Sequence, residues 1–297
     1  MLGSAIRQEL NSLKIKYSAP TSKELDLTNT ESVLEYFKQN VPSIVFHCAA
    51  LVGGIGANIR RNIEFFDINY KIDNNVIEAC SKFEVEKLIY FGSSCMYPAN
   101  RSNMLKENDL LTGPIEKTNE WYGLAKIIAS KKVEFYAESK GLDWNVFVLS
   151  NMYGPNDNFS EENSHLIPAI IRKMSQAEKS AKPEIEIWGS GKSRREFTYV
   201  CDVANWVVSA AIDQDTKIPI ILNLGIGIDY EVSEYYQYVS EVMNQKVKFT
   251  HNLDKPDGNS RKLMDSSLAR TYGWSPQTHI VVGLKKTIDW YQDSKND

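Results

Sequence analysis

The sequence is short of the features that mark membrane-bound and nucleic-acid-binding proteins. Its 297 residues contain no run of about 18 apolar residues and no basic-then-apolar leader, so we expect no membrane span or signal peptide, and a cytoplasmic location. Lysine and arginine number 34 against 38 aspartates and glutamates, and no basic block occurs. This balance argues against nucleic acid as the main partner.

Cysteine is also scarce. The four cysteines, Cys48, Cys80, Cys95 and Cys201, lie far apart and form no Cys-x-x-Cys pair. This spacing disfavours a structural metal site or a disulfide framework and fits reduced thiols. Three of them lie in apolar or helical surroundings, where a cysteine usually serves as a small buried hydrophobe. Cys95 differs, because it follows two serines after an apolar segment, where a thiol can act as a base.

The chain does contain a clear alternation of strand and helix patterns. Residues 43–47, 88–91 and 144–149 form apolar segments typical of buried strands, and helical patterns cover 63–82 and the segment around Tyr122. Such alternation predicts an α/β fold with a doubly wound, mostly parallel, Rossmann-like sheet. After Pro155 the sequence pattern changes to polar segments that contain glycine. We therefore expect one domain over residues 1–155 and a smaller α/β domain over 156–297, with some segments returning to the first.

At the amino terminus the pattern predicts a helix over residues 4–13, a short strand over 15–19 and a second helix over 31–38. Small residues and glycines after residue 47, ending in Gly53 and Gly54, would let the backbone approach a ligand closely.

Three further residues stand out for their chemistry. Tyr122 and Lys126 are four residues apart, which places both on one helix face, and we expect Lys126 to lower the pKa of Tyr122. Ser93 ends an apolar strand and could complete a donor pair for a carbonyl oxygen. Alone, such a Tyr/Lys pair is more often a solvated helix pair, and two serines are more often a turn. Here, however, the serine at the end of a strand and the Tyr/Lys helix follow one another within a single strand–helix crossover. Both therefore lie at the edge where parallel sheets bind ligands. This arrangement favours a site that moves a proton at a ketone or alcohol while a hydride is transferred to carbon.

These residues resemble the extended short-chain dehydrogenase/reductase family, and within it the GDP-L-fucose synthase branch. The likeness extends from Gly3 to the helix containing Trp290. Its most specific motifs are Gly-Ser93-Ser-Cys95-Met-Tyr-Pro, Tyr122-x-x-x-Lys126, Asn151-Met-Tyr-Gly-Pro-Asn-Asp-Asn-Phe, Asn163-Ser-His165-Leu-Ile-Pro, Trp188-Gly-Ser-Gly, Arg195-Glu-Phe and Asp257-Gly-x-x-Arg-Lys262.

The resemblance implies an NADP(H)-dependent 3,5-epimerisation and 4-reduction of a GDP-linked keto-deoxy sugar, GDP-4-keto-6-deoxy-mannose, by a homodimer. It implies that Ser93, Tyr122 and Lys126 act at the C4 carbonyl, and that Cys95 and His165 are the base and acid that invert C3 and C5. The cofactor-binding residues implied are Gly3, Asp26, Leu27, Ala49, Ala50, Tyr122, Lys126 and His165. The substrate-binding residues implied are Asn151, Lys173, Trp188, Arg195, Asp257 and Lys262.

The chain departs from the family pattern in two places. Family members begin with a strand and a Gly-x-x-Gly-x-x-Gly turn, of which this chain keeps only Gly3. We therefore expect the first strand and most of that turn to be absent, and the recorded start to be an internal methionine. Residues 20–23 read Pro-Thr-Ser-Lys where the family usually offers arginine to a 2'-phosphate, so NADP is implied by the family alone.

Two alternatives stay open. A related GDP-keto-deoxysugar reductase of the colitose-forming type would share almost every motif. A non-catalytic nucleotide-sugar-binding or scaffold protein, without a competent cofactor site, would share many of them.

Overall fold

The computed structural model describes residues 1–177, 184–255 and 257–295. Its helices are α1 (Leu2–Ser12), α2 (Thr30–Asn40), α3 (Ile55–Arg60), α4 (Asn62–Lys82), α5 (Glu120–Lys140), α6 (Leu166–Ala177), α7 (Val200–Ile212), α8 (Val232–Val242), α9 (Ser267–Arg270) and α10 (Ile280–Asp293). Its strands are β1 (Ile44–His47), β2 (Lys87–Ser93), β3 (Asp143–Leu149), β4 (Asn151–Tyr153), β5 (Glu184–Trp188), β6 (Arg194–Tyr199), β7 (Ile221–Leu224), β8 (Asp229–Glu231), β9 (Lys248–Asn252) and β10 (Arg261–Lys262).

The main sheet has the order β1-β2-β3-β7, and all of its pairs are parallel. Strand β2 shows why helices must cover both faces. Leu88 and Tyr90 pack with α2, α4 and α5, whereas Ile89 and Phe91 pack with α1 and α7. A parallel strand buried on both faces reads as a continuous apolar run, which is the pattern in the sequence. The predicted α/β doubly wound fold is confirmed.

A second group of elements lies beside this sheet. Strand β6 pairs in parallel with β4 and β10 and antiparallel with β8, and β5 pairs with β9. Helices α6, α8 and α10 cover these strands and share one apolar core. Strand β7, although late in the chain, belongs to the main sheet.

The strand predicted over residues 15–19 is wrong. The segment is irregular and mostly exposed, and no strand among the described residues pairs with it. A short apolar segment becomes a strand only when a neighbour satisfies its backbone groups.

None of the helices in the described part of the chain combines the length and apolar character needed to cross a membrane.

Candidate active site

The site begins where β2 ends. Ser93 is the last residue of β2, and a 3-10 turn over Ser94–Met96 follows it and presents Cys95. The Ser93 hydroxyl accepts a hydrogen bond from the Cys95 amide at 3.2 Å, which fixes the start of that turn. The thiol and the hydroxyl therefore lie at the carboxyl end of a central strand, where open parallel sheets bind ligands.

Helix α5 brings Tyr122 to the same place. A side chain at Gly123 would lie 2.7 Å from the carbonyl oxygen of Cys95, so only glycine lets the helix approach this turn so closely. Tyr122 lies close enough to Ser93 for the serine side chain to affect the pKa of its phenol. The predicted pairing of a serine from the end of a strand with a tyrosine on the next helix is therefore present in the structure.

The expected lowering of the tyrosine pKa is wrong. Burial raises the pKa of Tyr122, and the charges of Cys95 and Asp73 raise it further, while the hydrogen bond with Ser93 opposes them. Lys126 lies one turn along α5, but its ammonium nitrogen is 3.4 Å from a carboxylate oxygen of Asp73. Tyr122 is thus held as a protonated phenol, which is the form that donates a proton.

Cys95 has cationic neighbours. The ammonium nitrogen of Lys262 lies 3.7 Å from its sulfur, and Arg195 is close enough for the charges of the two side chains to interact. Lys262 and Arg195 come together because β10 pairs with β6, with Lys262 opposite Arg195. The structure thus places Lys262 at the thiol, whereas the motif resemblance assigned it to the nucleotide.

His165 lies immediately before α6, and its carbonyl accepts the amide of Ala169 in the first turn. A side chain at Gly54 would lie 2.8 Å from the Ser164 carbonyl oxygen, so the His165 segment packs against the loop that follows β1. Burial lowers the pKa of His165 below its ordinary value of 6.5. The imidazole is therefore mostly neutral at pH 7.

The residues proposed for the nucleotide lie on and around β5. Trp188 ends β5 with its ring half exposed, and the Lys255 ammonium nitrogen lies 5.3 Å from the ring centroid. Lys173 donates to the carbonyl of Glu186 at 2.9 Å, and burial lowers its pKa. An exposed indole with two lysines nearby suits an aromatic, negatively charged ligand.

Three further candidates are already bonded within the protein. Asp257 accepts from the amide of Ser190 at 2.8 Å and so holds the turn after β5. Arg195 donates to the carbonyl of Asn259 at 2.6 Å. Asn151 donates to the carbonyl of Glu196 at 2.9 Å. These contacts give the three residues a part in shaping the loops of the site.

The residues proposed for the cofactor fall into two places. A side chain at Gly3, in the first turn of α1, would lie 3.5 Å from the Cβ of Cys48, so α1 begins beside the end of β1. Ala49 and Ala50 follow Cys48 and are partly exposed. Farther along, Asp26 accepts from the amide of Thr28 at 2.9 Å, and the carbonyl of Leu27 accepts from Asn75 at 2.9 Å.

Comparison with known proteins agrees with this geometry. The model of the NAD dependent epimerase/dehydratase family matches residues 1–225. The GDP-L-colitose synthase of Yersinia pseudotuberculosis is 38% identical over 298 residues, which cover 100% of this chain and 96% of the relative. The GDP-L-fucose synthase of Azorhizobium caulinodans is 39% identical over 273 residues, covering 92% of this chain and 87% of the relative.

A solved structure is also similar. The GDP-mannoheptose C4 reductase of Campylobacter jejuni, solved with NADP bound, superposes with a TM-score of 0.87 at 31% identity, covering 98% of this chain and 95% of that one. The family predicted from the sequence motifs is confirmed. The chain belongs to the NAD dependent epimerase/dehydratase family.

Proposed function

We propose that the protein converts GDP-4-keto-6-deoxy-D-mannose to GDP-L-fucose, by 3,5-epimerisation followed by NADPH-dependent reduction at C4. The observation that carries this proposal is the Cys95 turn held at Ser93, with Tyr122 close enough to both Cys95 and Ser93 for them to affect the pKa of its phenol. Reduction of a ketone needs the hydroxyl and the phenol, whereas a thiol adds a base that can act at a neighbouring carbon. The names of the two relatives described above support a GDP-linked sugar as the substrate.

Inversion at C3 and C5 follows from the position of these carbons. Both lie next to the C4 ketone, so removing either proton gives an enolate whose charge rests on the ketone oxygen. Tyr122 and Ser93 donate to that oxygen and stabilise the enolate. Cys95, as the thiolate, takes the proton from one face and becomes a thiol. His165 first takes up a proton from solvent and then returns it to the carbon on the other face, which inverts the carbon.

Reduction uses the same carbonyl. NADPH supplies the hydride to C4, and Tyr122 delivers the proton to the oxygen. Tyr122 is suited to this step because its raised pKa keeps the phenol protonated in the resting site. Ser93 holds the oxygen in place through the same hydrogen bond that stabilised the enolate.

The residues of the chain fit a dinucleotide along the carboxyl edge of the main sheet. The first turn of α1 at Gly3 offers backbone amides to a pyrophosphate, and the partly exposed Ala49 and Ala50 leave room beside it. Tyr122 and Lys126 would hold the nicotinamide end. Asp26, Leu27 and His165 complete the proposed cofactor set.

The GDP portion would lie across the second group of strands. Trp188 would stack on the base, and Lys173 and Arg195 would face the phosphates. Asn151, Asp257 and Lys262 complete the proposed substrate set. We accordingly assign cofactor binding mainly to residues 1–155 and substrate binding mainly to 156–297, with β7 returning to the first unit.

A second candidate is a colitose-type epimerase/reductase, which the 38% identity to the Yersinia enzyme favours. A third is a nucleotide-sugar-binding protein without turnover. The test is to incubate the protein with NADPH and GDP-4-keto-6-deoxy-D-mannose, follow NADPH absorbance and identify the product. We expect NADPH consumption and GDP-L-fucose. Consumption with a different sugar product would favour the second candidate, and binding without consumption would favour the third.

We further propose a homodimer formed through α4 and α5. The two helices expose large apolar side chains on their outer surface, namely Ile63, Tyr70, Trp121, Ile128 and Phe135. Such a surface suits an interface between copies. Sedimentation should find a dimer for the native chain and a monomer for Phe135→Lys. A native monomer would contradict this.

We also propose a cytoplasmic location, because the four free thiols fit a reducing compartment.

A further inference from the structure

A buried carboxylate lies behind the catalytic tyrosine. Asp73, on α4, is almost inaccessible, with 1% of its side chain exposed. One of its oxygens lies 2.9 Å from the Nε2 atom of His47 at the end of β1. The other accepts the hydroxyl of Tyr90, on β2, at 2.7 Å. Three elements of the main domain therefore converge on one negative charge.

The fourth partner is Lys126. Its ammonium nitrogen lies 3.4 Å from the Asp73 oxygen that Tyr90 also contacts, and 4.5 Å from the centroid of the Tyr90 ring. The lysine side chain is only 3% exposed. A buried ammonium is costly unless a counter-charge and hydrogen bonds replace water. Asp73 is the carboxylate that supplies both, and the Tyr90 ring adds a cation–π contact.

The groups around Asp73 explain why its carboxyl group is ionised although it is buried. Burial by itself would raise the pKa of Asp73, but Lys126, His47 and Tyr90 together hold it below its ordinary value. Asp73 is therefore a carboxylate at any pH at which the enzyme would be assayed. Its charge reaches the active site, because it contributes to the raised pKa of Tyr122.

We propose that Asp73 is a positioning residue for catalysis, which holds the ammonium of Lys126, one turn along α5 from Tyr122, through a carboxylate that His47 and Tyr90 orient. The inference rests on the proposed function. It assigns to α4 and β1 a part in catalysis that neither the Tyr/Lys spacing nor the serine motif indicates. Asp73 itself touches no reacting atom and acts through Lys126.

The first test is Asp73→Asn, which keeps the shape of the side chain and removes its charge. We expect kcat for NADPH consumption to fall by at least about tenfold, while the dissociation constant for NADPH, measured by fluorescence, changes by less than about threefold. Asp73→Glu, which restores the charge, should recover part of the loss. The matched control is Asp143→Asn, since Asp143 also pairs with a lysine, Lys87 at 2.8 Å, but at the opposite end of β3.

The second test is a double variant. If Asp73 acts through Lys126, then adding Asp73→Asn to Lys126→Met should change kcat by less than about twofold, because the lysine that it positions is gone. The double variant also removes both buried charges, which proteins tolerate better than one unpaired charge.

Two results would overturn the inference: a native-like kcat in Asp73→Asn, or losses that multiply in the double variant. A fall in kcat matched by an equal loss of NADPH binding would also overturn it, since that pattern indicates a merely structural role. A native chain that consumes no NADPH would instead overturn the proposed function, and this inference with it.

Discussion

The ammonium nitrogen of Lys262 lies 3.7 Å from the sulfur of Cys95, across 167 residues of sequence. The contact exists because the two-residue strand β10 pairs with β6 and places Lys262 beside Arg195. Two cations thus face the one thiol of the candidate site. Positive groups beside the sulfur suit a cysteine that removes a proton from carbon.

Removing the nearer cation should make Cys95 less reactive. In Lys262→Met the rate of alkylation of Cys95 by iodoacetamide at pH 7.5 should fall by about two- to fivefold, the effect of a partly exposed charge pair. Peptide mapping by mass spectrometry gives the rate at this residue alone. Lys248→Met removes an exposed lysine paired with Glu184 and should leave the rate unchanged. An unchanged alkylation rate in Lys262→Met would show that Lys262 does not influence the reactivity of the Cys95 thiol.

Replacing the thiol should separate epimerisation at C3 and C5 from reduction at C4. Cys95→Ser should lower the rate of inversion by at least about 100-fold, because a hydroxyl is a far weaker base, while some direct reduction at C4 remains. The expected product is a reduced sugar with its original configuration at C3 and C5, identified by NMR. Cys201→Ser, a second half-buried cysteine on α7, is the control. Normal inversion in Cys95→Ser would show that another group is the base.

Removing the phenol should stop reduction. Tyr122→Phe should lower kcat for NADPH consumption by about 100-fold or more, since the oxygen at C4 then has no proton donor. In the native enzyme reduction should continue undiminished to pH 9, because burial raises the pKa of Tyr122 and the phenol stays protonated. Tyr136→Phe, on the same helix but outside the site, is the control. A loss of reduction with a midpoint below pH 9 in the native enzyme would contradict this role.

Glu196 should make stability depend on pH. Its side chain is buried, its oxygens accept the amides of Gly227 and Met264 at 2.6 Å and 3.0 Å, and burial raises its pKa from 4.5 to about 7. The folded chain therefore keeps a proton that the unfolded chain releases above about pH 4.5, so stability falls as the pH rises towards 7. Relative to Glu196→Gln, the native chain should lose about 2.5 kcal/mol between pH 5 and pH 8.

Urea unfolding at the two pH values measures this difference. Glu184→Gln, which alters an exposed glutamate, should show no such change. If native and Glu196→Gln proteins differed by the same amount at both pH values, the raised pKa of Glu196 would be wrong.

The order of the candidate site residues was readable from the sequence because it depends on local patterns. The apolar segment before Ser93 predicts β2, and the spacing of Tyr122 and Lys126 predicts one helix face, and both are confirmed. Gly123 carries a further signal of how this helix packs. A glycine next to the tyrosine indicates close approach of another backbone, which here is the Cys95 turn.

The sequence motifs did not indicate the cluster around Asp73, although the pattern of residues along α4 contains a signal for it. Along α4 the buried side chains include Phe65, Asn69, Asp73, Val76 and Cys80, which repeat at three- and four-residue spacing. A carboxylate on the buried stripe of a helix needs a partner inside the protein. The partners on β1, β2 and α5 come from sheet order and helix packing, which the sequence does not reveal. For the same reason spacing alone gave the wrong direction for the Tyr122 pKa.

Lys262 could not be placed from sequence for a different reason. Strand β10 has only two residues, Arg261 and Lys262, and no local pattern predicts that it pairs with β6. The motif resemblance found Lys262 to be a candidate, but only the pairing brings it to Cys95.

The most direct test of the proposed chemistry is to run the reaction in D2O and locate deuterium in the product by NMR and mass spectrometry. If a thiol-dependent enolisation precedes reduction, the product is GDP-L-fucose that carries deuterium at both C3 and C5. A reduced sugar without deuterium at either carbon would contradict the account.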